Sequence, residues 1–188
     1  LETLKQSGKL DSTLVVILGD HGEAFGEHGD YVHATAIYDE NVHIPLIMIN
    51  KHLFHDEVAH PVGGIIDIAP TIMDILGLPL PNQWQGRSLF SEQRPDKTFF
   101  FNPWAGSLFG YRENDQKVIF NATTGAVEKY DLKADPDEKT NLFKDGESDR
   151  TALLQPITQW VQSQRRRIVN LVADNDKDAG RCTVKDMV

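Results

Sequence analysis

Residues 14–33, LVVILGDHGEAFGEHGDYVH, constrain this chain more than any other stretch: an apolar run stops at a glycine and gives way to a loop crowded with acids and imidazoles. Leu14, Val15, Val16, Ile17 and Leu18 are continuously aliphatic, which is how a strand buried on both faces of a helix-covered sheet reads. Strands of that kind deliver function at their carboxyl ends. Consecutive side chains on a regular strand face opposite ways. Leaving the strand at Gly19 therefore lets the Asp20 carboxylate and the His21 imidazole converge on one point, as a metal ion or a charged substrate requires. Gly-Asp-His-Gly would also serve as a solvent-exposed bend. What favours a site is the density of further donors: Glu23, Glu27, His28, Asp30 and His33 all precede the return of apolar sequence at Ile44.

The rest of the chain is organised around that loop. Residues 1–9 read as the end of a helix closed by Gly8, with Asp11 and Ser12 turning into the strand. Residues 35–41 read as a short helix or extended turn that brings Tyr38 and Glu40 beside the site, and residues 44–49 as a second buried strand with Pro45 near its start. His52, His55 and His60 fit no metal-ligand spacing and read as solvated loop residues. Asp67 is placed as an N-cap with Pro70 in the first helical turn. Ile68, Thr71, Ile72, Ile75 and Leu76 then form one apolar face, ended by Gly77.

From Thr98 the pattern changes to short strands at residues 99–102, 110–112, 117–121 and 127–132. Asn114-Asp115 and Thr123-Thr124-Gly125 punctuate them as hairpin loops do. Phe99, Phe100, Phe101, Trp104 and Phe109 are read as packing residues. A final helix over residues 149–172 carries Leu153, Ile157, Trp160, Val161, Ile168 and Leu171 at helical spacing, with Arg165, Arg166 and Arg167 as a solvated basic run. Residues 174–188 read as a disordered tail. The expected organisation is thus residues 1–95 with the metal loop, 96–173 as a small antiparallel sheet plus helix, and 174–188 as tail.

Composition sets outer bounds. A globular mixture of 40% hydrophobic and 25% charged residues over 188 positions suffices for an ordinary core. A formal net charge of −9 argues against a nucleic-acid surface, so the aromatics are not base-stacking platforms. The apolar runs are strand length, short of the ~20 residues a membrane span requires. Cys182 is the single cysteine, so no internal disulfide forms.

Several motifs together resemble the sulfatase branch of the alkaline phosphatase superfamily: Gly-Asp-His-Gly-Glu from Gly19, Gly-Glu-His-Gly from Gly26, then His33, Tyr38 and Ile-Pro-Leu-Ile from Ile44. The likeness continues through Asp67-Ile-Ala-Pro-Thr-Ile-Met-Asp-Ile-Leu-Gly, Gly86-Arg-Ser-Leu and Tyr130-Asp-Leu-Lys-Ala-Asp-Pro-Asp-Glu-Lys-Thr-Asn-Leu, to about Phe143. It implies an α/β fold: part of an alkaline-phosphatase-like mixed sheet flanked by helices, followed by the small antiparallel sheet and the C-terminal helix.

By the same resemblance Asp20 and His21 are ligands of a divalent metal ion. Calcium-dependent sulfatases often carry Asn where this chain has His21, and imidazole suits zinc or manganese better than calcium. His33 is the candidate catalytic residue, at a substrate-contacting position filled by Lys in many sulfatases and by His in phosphoethanolamine transferases. His43 stands where many relatives carry Arg, and Arg87 reads as a residue that pins its loop.

The implied function is that of the C-terminal part of a metal-dependent hydrolase of sulfate or phosphate esters, located extracytoplasmically. A phosphoethanolamine-type transferase and a non-catalytic binding domain are the alternatives. Cys182 sits in Arg-Cys-Thr-Val-Lys, not in the family's Cys-x-Pro-Ser-Arg, so the nucleophile is expected upstream, along with any membrane anchor, and the fragment alone is expected to be inactive. The open edge of a truncated sheet makes a homodimer the expected assembly.

Overall fold

The computed structural model describes residues 1–104, 106–144 and 146–179. The site-bearing strand is short. Among the described residues β1 (Val15–Leu18) pairs only with β2 (Leu46–Ile49), antiparallel, with Val15 opposite Ile49 and Leu18 opposite Leu46. Ahead of it, α1 (Glu2–Gln6) ends before Gly8 and a single turn at Leu10–Ser12 leads into the strand. Between the two strands lie the donor-rich loop and α2 (Asp39–Val42), a single helical turn that begins four residues later than the sequence suggested. Pro45 falls just ahead of β2, where a missing amide costs the ladder nothing.

Burial on both faces does not hold for β1: Ile17 is 49% exposed, and Leu18 and Ile47 are exposed as well. The aliphatic run has the composition of a strand covered on two sides, but no helix among the described residues covers this pair fully.

The better-packed half is the second sheet, in the order β3 (Lys97–Asn102), β4 (Leu108–Glu113), β5 (Gln116–Asn121) and β6 (Val127–Asp131), all antiparallel. The turn signals fall where expected. Asn114 and Asp115 form the two-residue link between β4 and β5, with Asn114 at φ 52°. Leu108, Ile119, Tyr130 and Leu132 build a core against Ile37, which arrives from the segment leading into α2. Gly110 makes room for it: a Cβ there would lie 2.8 Å from both Ile37 Cδ1 and the Val118 carbonyl oxygen. Phe100 packs on this cluster as expected and the half-exposed Phe101 ring packs on Phe109 at 4.8 Å, whereas Trp104 stands in solvent, contrary to a packing role.

Linking the two sheets, α3 (Ile68–Ile75) starts after a tight turn at Ile65–Asp67 and ends before Gly77. Asp67 holds the N-cap position, but its carboxylate does not cap α3. It accepts the Gly64 N–H at 3.1 Å, the Arg87 N–H at 2.8 Å and Arg94 Nη2 at 3.2 Å. Thr71 Oγ1 extends this knot, donating to the Asp67 carbonyl at 2.6 Å and accepting the Leu89 N–H at 2.9 Å. The Gly86-Arg87-Ser88-Leu89 turn is thereby fixed through its backbone, and the Arg87 side chain reaches the Gln93 carbonyl at 3.4 Å. The buried cation is Arg94.

Residues up to Phe143 form one compact unit, and a second unit begins at Lys144. That second unit carries α4 (Glu147–Ala179), with Pro156 inside the helix. The helix overlaps the segment expected as tail as far as Ala179, and residues 180–188 lie outside the described residues. No helix among the described residues is long and apolar enough to cross a membrane.

Replacing Asp67 by alanine would leave the buried Arg94 guanidinium with only the exposed Asp96 carboxylate, 3.7 Å from Nη1. Asp67→Ala is expected to destabilise the protein by about 3–5 kcal/mol, the usual loss when one partner of a buried ion pair is removed. Denaturant midpoints are the check, and a shift under about 1 kcal/mol would show the knot to be dispensable.

Candidate active site

The loop that leaves β1 is pressed against α2, backbone to backbone. The Gly22 N–H donates to the Asn41 carbonyl at 2.9 Å, and a Cβ at Gly22 would sit 2.0 Å from the Glu40 carbonyl oxygen, so no other residue fits. This contact fixes where the preceding two side chains emerge.

Asp20 is almost fully in solvent, its side chain 90% exposed, with Oδ1 accepting the His21 N–H at 3.1 Å. His21 Nδ1 lies 2.7 Å from the Gly22 carbonyl, which accepts only, so Nδ1 carries the proton. The lone pair is then on Nε2, 3.8 Å from Asp20 Oδ1. An oxygen and a nitrogen donor stand side by side at the end of the strand.

His33 joins them from twelve residues downstream. Its ring stacks on His21 at a centroid distance of 4.4 Å and an interplanar angle of 23°. Its Nδ1 is 3.0 Å from Glu23 Oε2, which orients the ring and again leaves Nε2 open. Asp20, His21, Glu23 and His33 therefore form one cluster. Glu23 was legible as a loop donor, but its role as the partner of His33 was not.

The other loop donors are withdrawn from the cluster. Glu27 folds back to accept the Phe25 N–H at 2.6 Å, and this bond, together with a backbone hydrogen bond at Glu27 itself, holds its carboxyl below the usual carboxylate range. His28 faces acceptors on both ring nitrogens, Glu40 Oε1 at 2.6 Å from Nδ1 and the Glu138 carbonyl at 3.1 Å from Nε2. Its ring lies flat on Tyr38 at 3.8 Å. With both nitrogens engaged, His28 is a brace. His52, His55 and His60 are exposed in the connecting loop, and His43 stays exposed, 3.9 Å from Asp39.

Beneath the loop lies a group that no local sequence signal announced. Lys117, on β5, is fully buried, with Nζ 2.7 Å from Asp39 Oδ1 and 3.0 Å from Glu138 Oε1. Glu138 also accepts the Asp39 N–H, which ties the turn after β6 to the start of α2. Burial pushes the Glu138 carboxyl above its ordinary value, and the Lys117 ammonium beside it opposes that rise. Alongside, Glu128 accepts both the Tyr38 and the Tyr130 hydroxyls, at 2.8 and 2.6 Å. Burial first, and this carboxylate second, raise both phenols far above their ordinary pKa.

As to a metal, Asp20 and His21 offer one oxygen and one nitrogen donor, a set that fits zinc or manganese. No group of three or more His, Cys, Asp or Glu converges as an ion site among the described residues.

Lys117→Met would leave Asp39 and Glu138 facing each other in the interior. The expected cost is about 3–5 kcal/mol at neutral pH. Because the folded-state Glu138 carboxyl already lies above its unfolded value, the native state binds the proton more tightly. The variant should thus recover stability as pH falls and lose it as pH rises. Melting curves across the acid range check the sign, and a variant whose deficit grows on acidification would refute it.

Comparison with known proteins completes the picture. Residues 1–78 match the Sulfatase family model. Arylsulfatase K from Bos taurus is 30% identical over 185 residues, covering 89% of this chain and 33% of the relative. N-acetylglucosamine-6-O-sulfatase from Bacteroides thetaiotaomicron is 29% identical over 195 residues, covering 95% and 34% respectively. A solved protein in complex with its substrate, D-glucosamine-2-N,6-O-disulfate, superposes with a TM-score of 0.72 at 26% identity, over 90% of this chain and 37% of that one. The chain thus spans about a third of the length of the curated relatives it matches. With its sequence motifs, fold and site loop all agreeing, the chain belongs to the sulfatase family of the alkaline phosphatase superfamily.

Proposed function

We propose that this chain supplies one wall of the active site of a metal-dependent sulfuric ester hydrolase whose substrate is a sulfated sugar. The carrying observation is the stacked His21–His33 pair, with both Nε2 atoms open beside the exposed Asp20 carboxylate. Similarity to an N-acetylglucosamine-6-O-sulfatase and to a protein solved with a glucosamine disulfate supports the substrate class.

Asp20 and His21 would hold the divalent ion through a carboxylate oxygen and Nε2. When bound, that ion supplies positive charge to the oxygens of the transferring group. His33 contributes through Nε2, hydrogen-bonding a non-bridging oxygen of the ester or handing a proton to the leaving oxygen. Glu23 holds the His33 ring in place through Nδ1, as a carboxylate does for a catalytic histidine. The attacking nucleophile and the remaining metal ligands belong, in this reading, to parts of the enzyme beyond these residues. Placement outside the cytoplasm is part of the same proposal.

In the intact enzyme, His33→Ala is expected to lower kcat by about 10²–10⁴-fold with metal content preserved. Asp20→Ala should instead lose metal along with activity. Elemental analysis beside turnover of glucosamine 6-sulfate separates the two. Metal loss in His33→Ala would make His33 a ligand, and turnover of nitrophenyl phosphate in place of every sulfate ester would move the enzyme to phosphoryl transfer.

A further inference from the structure

Trp104 is 84% exposed, yet its backbone is held firmly. Its N–H donates to Asn102 Oδ1 at 2.9 Å. Asn102, at the end of β3, is itself buried and spends the other end of its amide on the site loop, with Nδ2 donating to the Ala34 carbonyl at 2.8 Å and to that of Ala36 at 3.4 Å. Ala34 follows His33 directly and is held at φ 64°, a conformation that L-residues rarely adopt. One buried side chain therefore bridges the backbone carrying the exposed indole and the backbone carrying the proposed catalytic imidazole.

A large aromatic surface left in water is costly unless something covers it. Phe25 and Tyr31 are also exposed, but they sit within the glycine-rich loop itself, where Gly26 and Gly29 both take positive φ. Phe90 and Phe101 are exposed as well, but the side chain that anchors Trp104 is the one that also holds the site loop. Ligand sites pair such rigid aromatic faces with a few polar groups that fix orientation.

From this placement we infer that Trp104 is a binding platform for the sugar ring of the substrate. The indole covers the apolar C–H face of the pyranose while Asp20, His21 and His33 engage its sulfate. The inference rests on the sulfated-sugar reading above and adds the residue that recognises the sugar. Trp104 thus governs substrate binding and takes no part in the bond-breaking step.

The test compares intact wild-type enzyme with Trp104→Ala and Trp104→Phe. With glucosamine 6-sulfate, Trp104→Ala should raise KM about tenfold with kcat within about twofold, and Trp104→Phe should recover most of the loss. Competitive inhibition by inorganic sulfate, which has no ring to stack, should not change in either variant. An unchanged KM overturns the proposal, as does an equal loss of sulfate inhibition. So does a fall in melting temperature with KM intact, which assigns the indole to packing. Should the wild type hydrolyse no sulfate ester, the sulfatase reading falls and fluorescence decides Trp104 by itself. A saturable change on titrating glucosamine 6-sulfate, abolished in Trp104→Phe, sustains the platform, and its absence in the wild type overturns it.

Discussion

A single buried ammonium sets the geometry of this protein. Lys117 has no water to solvate it, so the Asp39 and Glu138 carboxylates must stay where they meet it. Those two acids fix the start of α2 and the turn after β6. Because α2 offers the Asn41 carbonyl to Gly22, the position of a cation inside the small sheet is handed on to the loop that carries Asp20 and His21. Replacing all three charged groups together by apolar side chains would fill the same volume without fixing direction. Ion pairs demand orientation as well as proximity.

Chemistry and architecture divide the histidines of the loop by one rule: what each ring nitrogen touches. His28 has an acceptor at both nitrogens and an aromatic ring against its face, so nothing remains for a ligand. His21 and His33 each spend Nδ1 on the protein and keep Nε2 open. Three imidazoles within thirteen residues are thus one brace and two rings that keep a nitrogen open, a distinction that residue type alone cannot make.

Local patterns in the sequence reported local structure well. The four strands of the small sheet fall within about two residues of their turn signals, because Asn114-Asp115 and Thr123-Thr124-Gly125 act over a handful of bonds. Asp20, His21 and His33 were legible as a group because they share one loop. What escaped notice was long-range: Lys117 sits in a strand of ordinary appearance, and only the fold brings Asp39 and Glu138 to it, from 78 and 21 residues away. Arg94 and Asn102 were missed for the same reason, since their partners lie 27 and 68 residues off in sequence. The exposed face of β1 is the opposite case. Val15 to Leu18 encode a strand covered on both sides, and composition reports the surroundings a segment suits rather than the neighbours it has.

The brace at His28 also imposes an order of events on synthesis. Its hydrogen bond to Glu138 spans 110 residues, and the bridge from Asn102 to Ala34 spans 68. On a ribosome adding roughly 5–20 residues per second, the loop emerges about 5–20 seconds before its last anchor exists. During that interval Asp20, His21 and His33 belong to an unbraced segment. The site loop is thus made well before the residues that hold it in place.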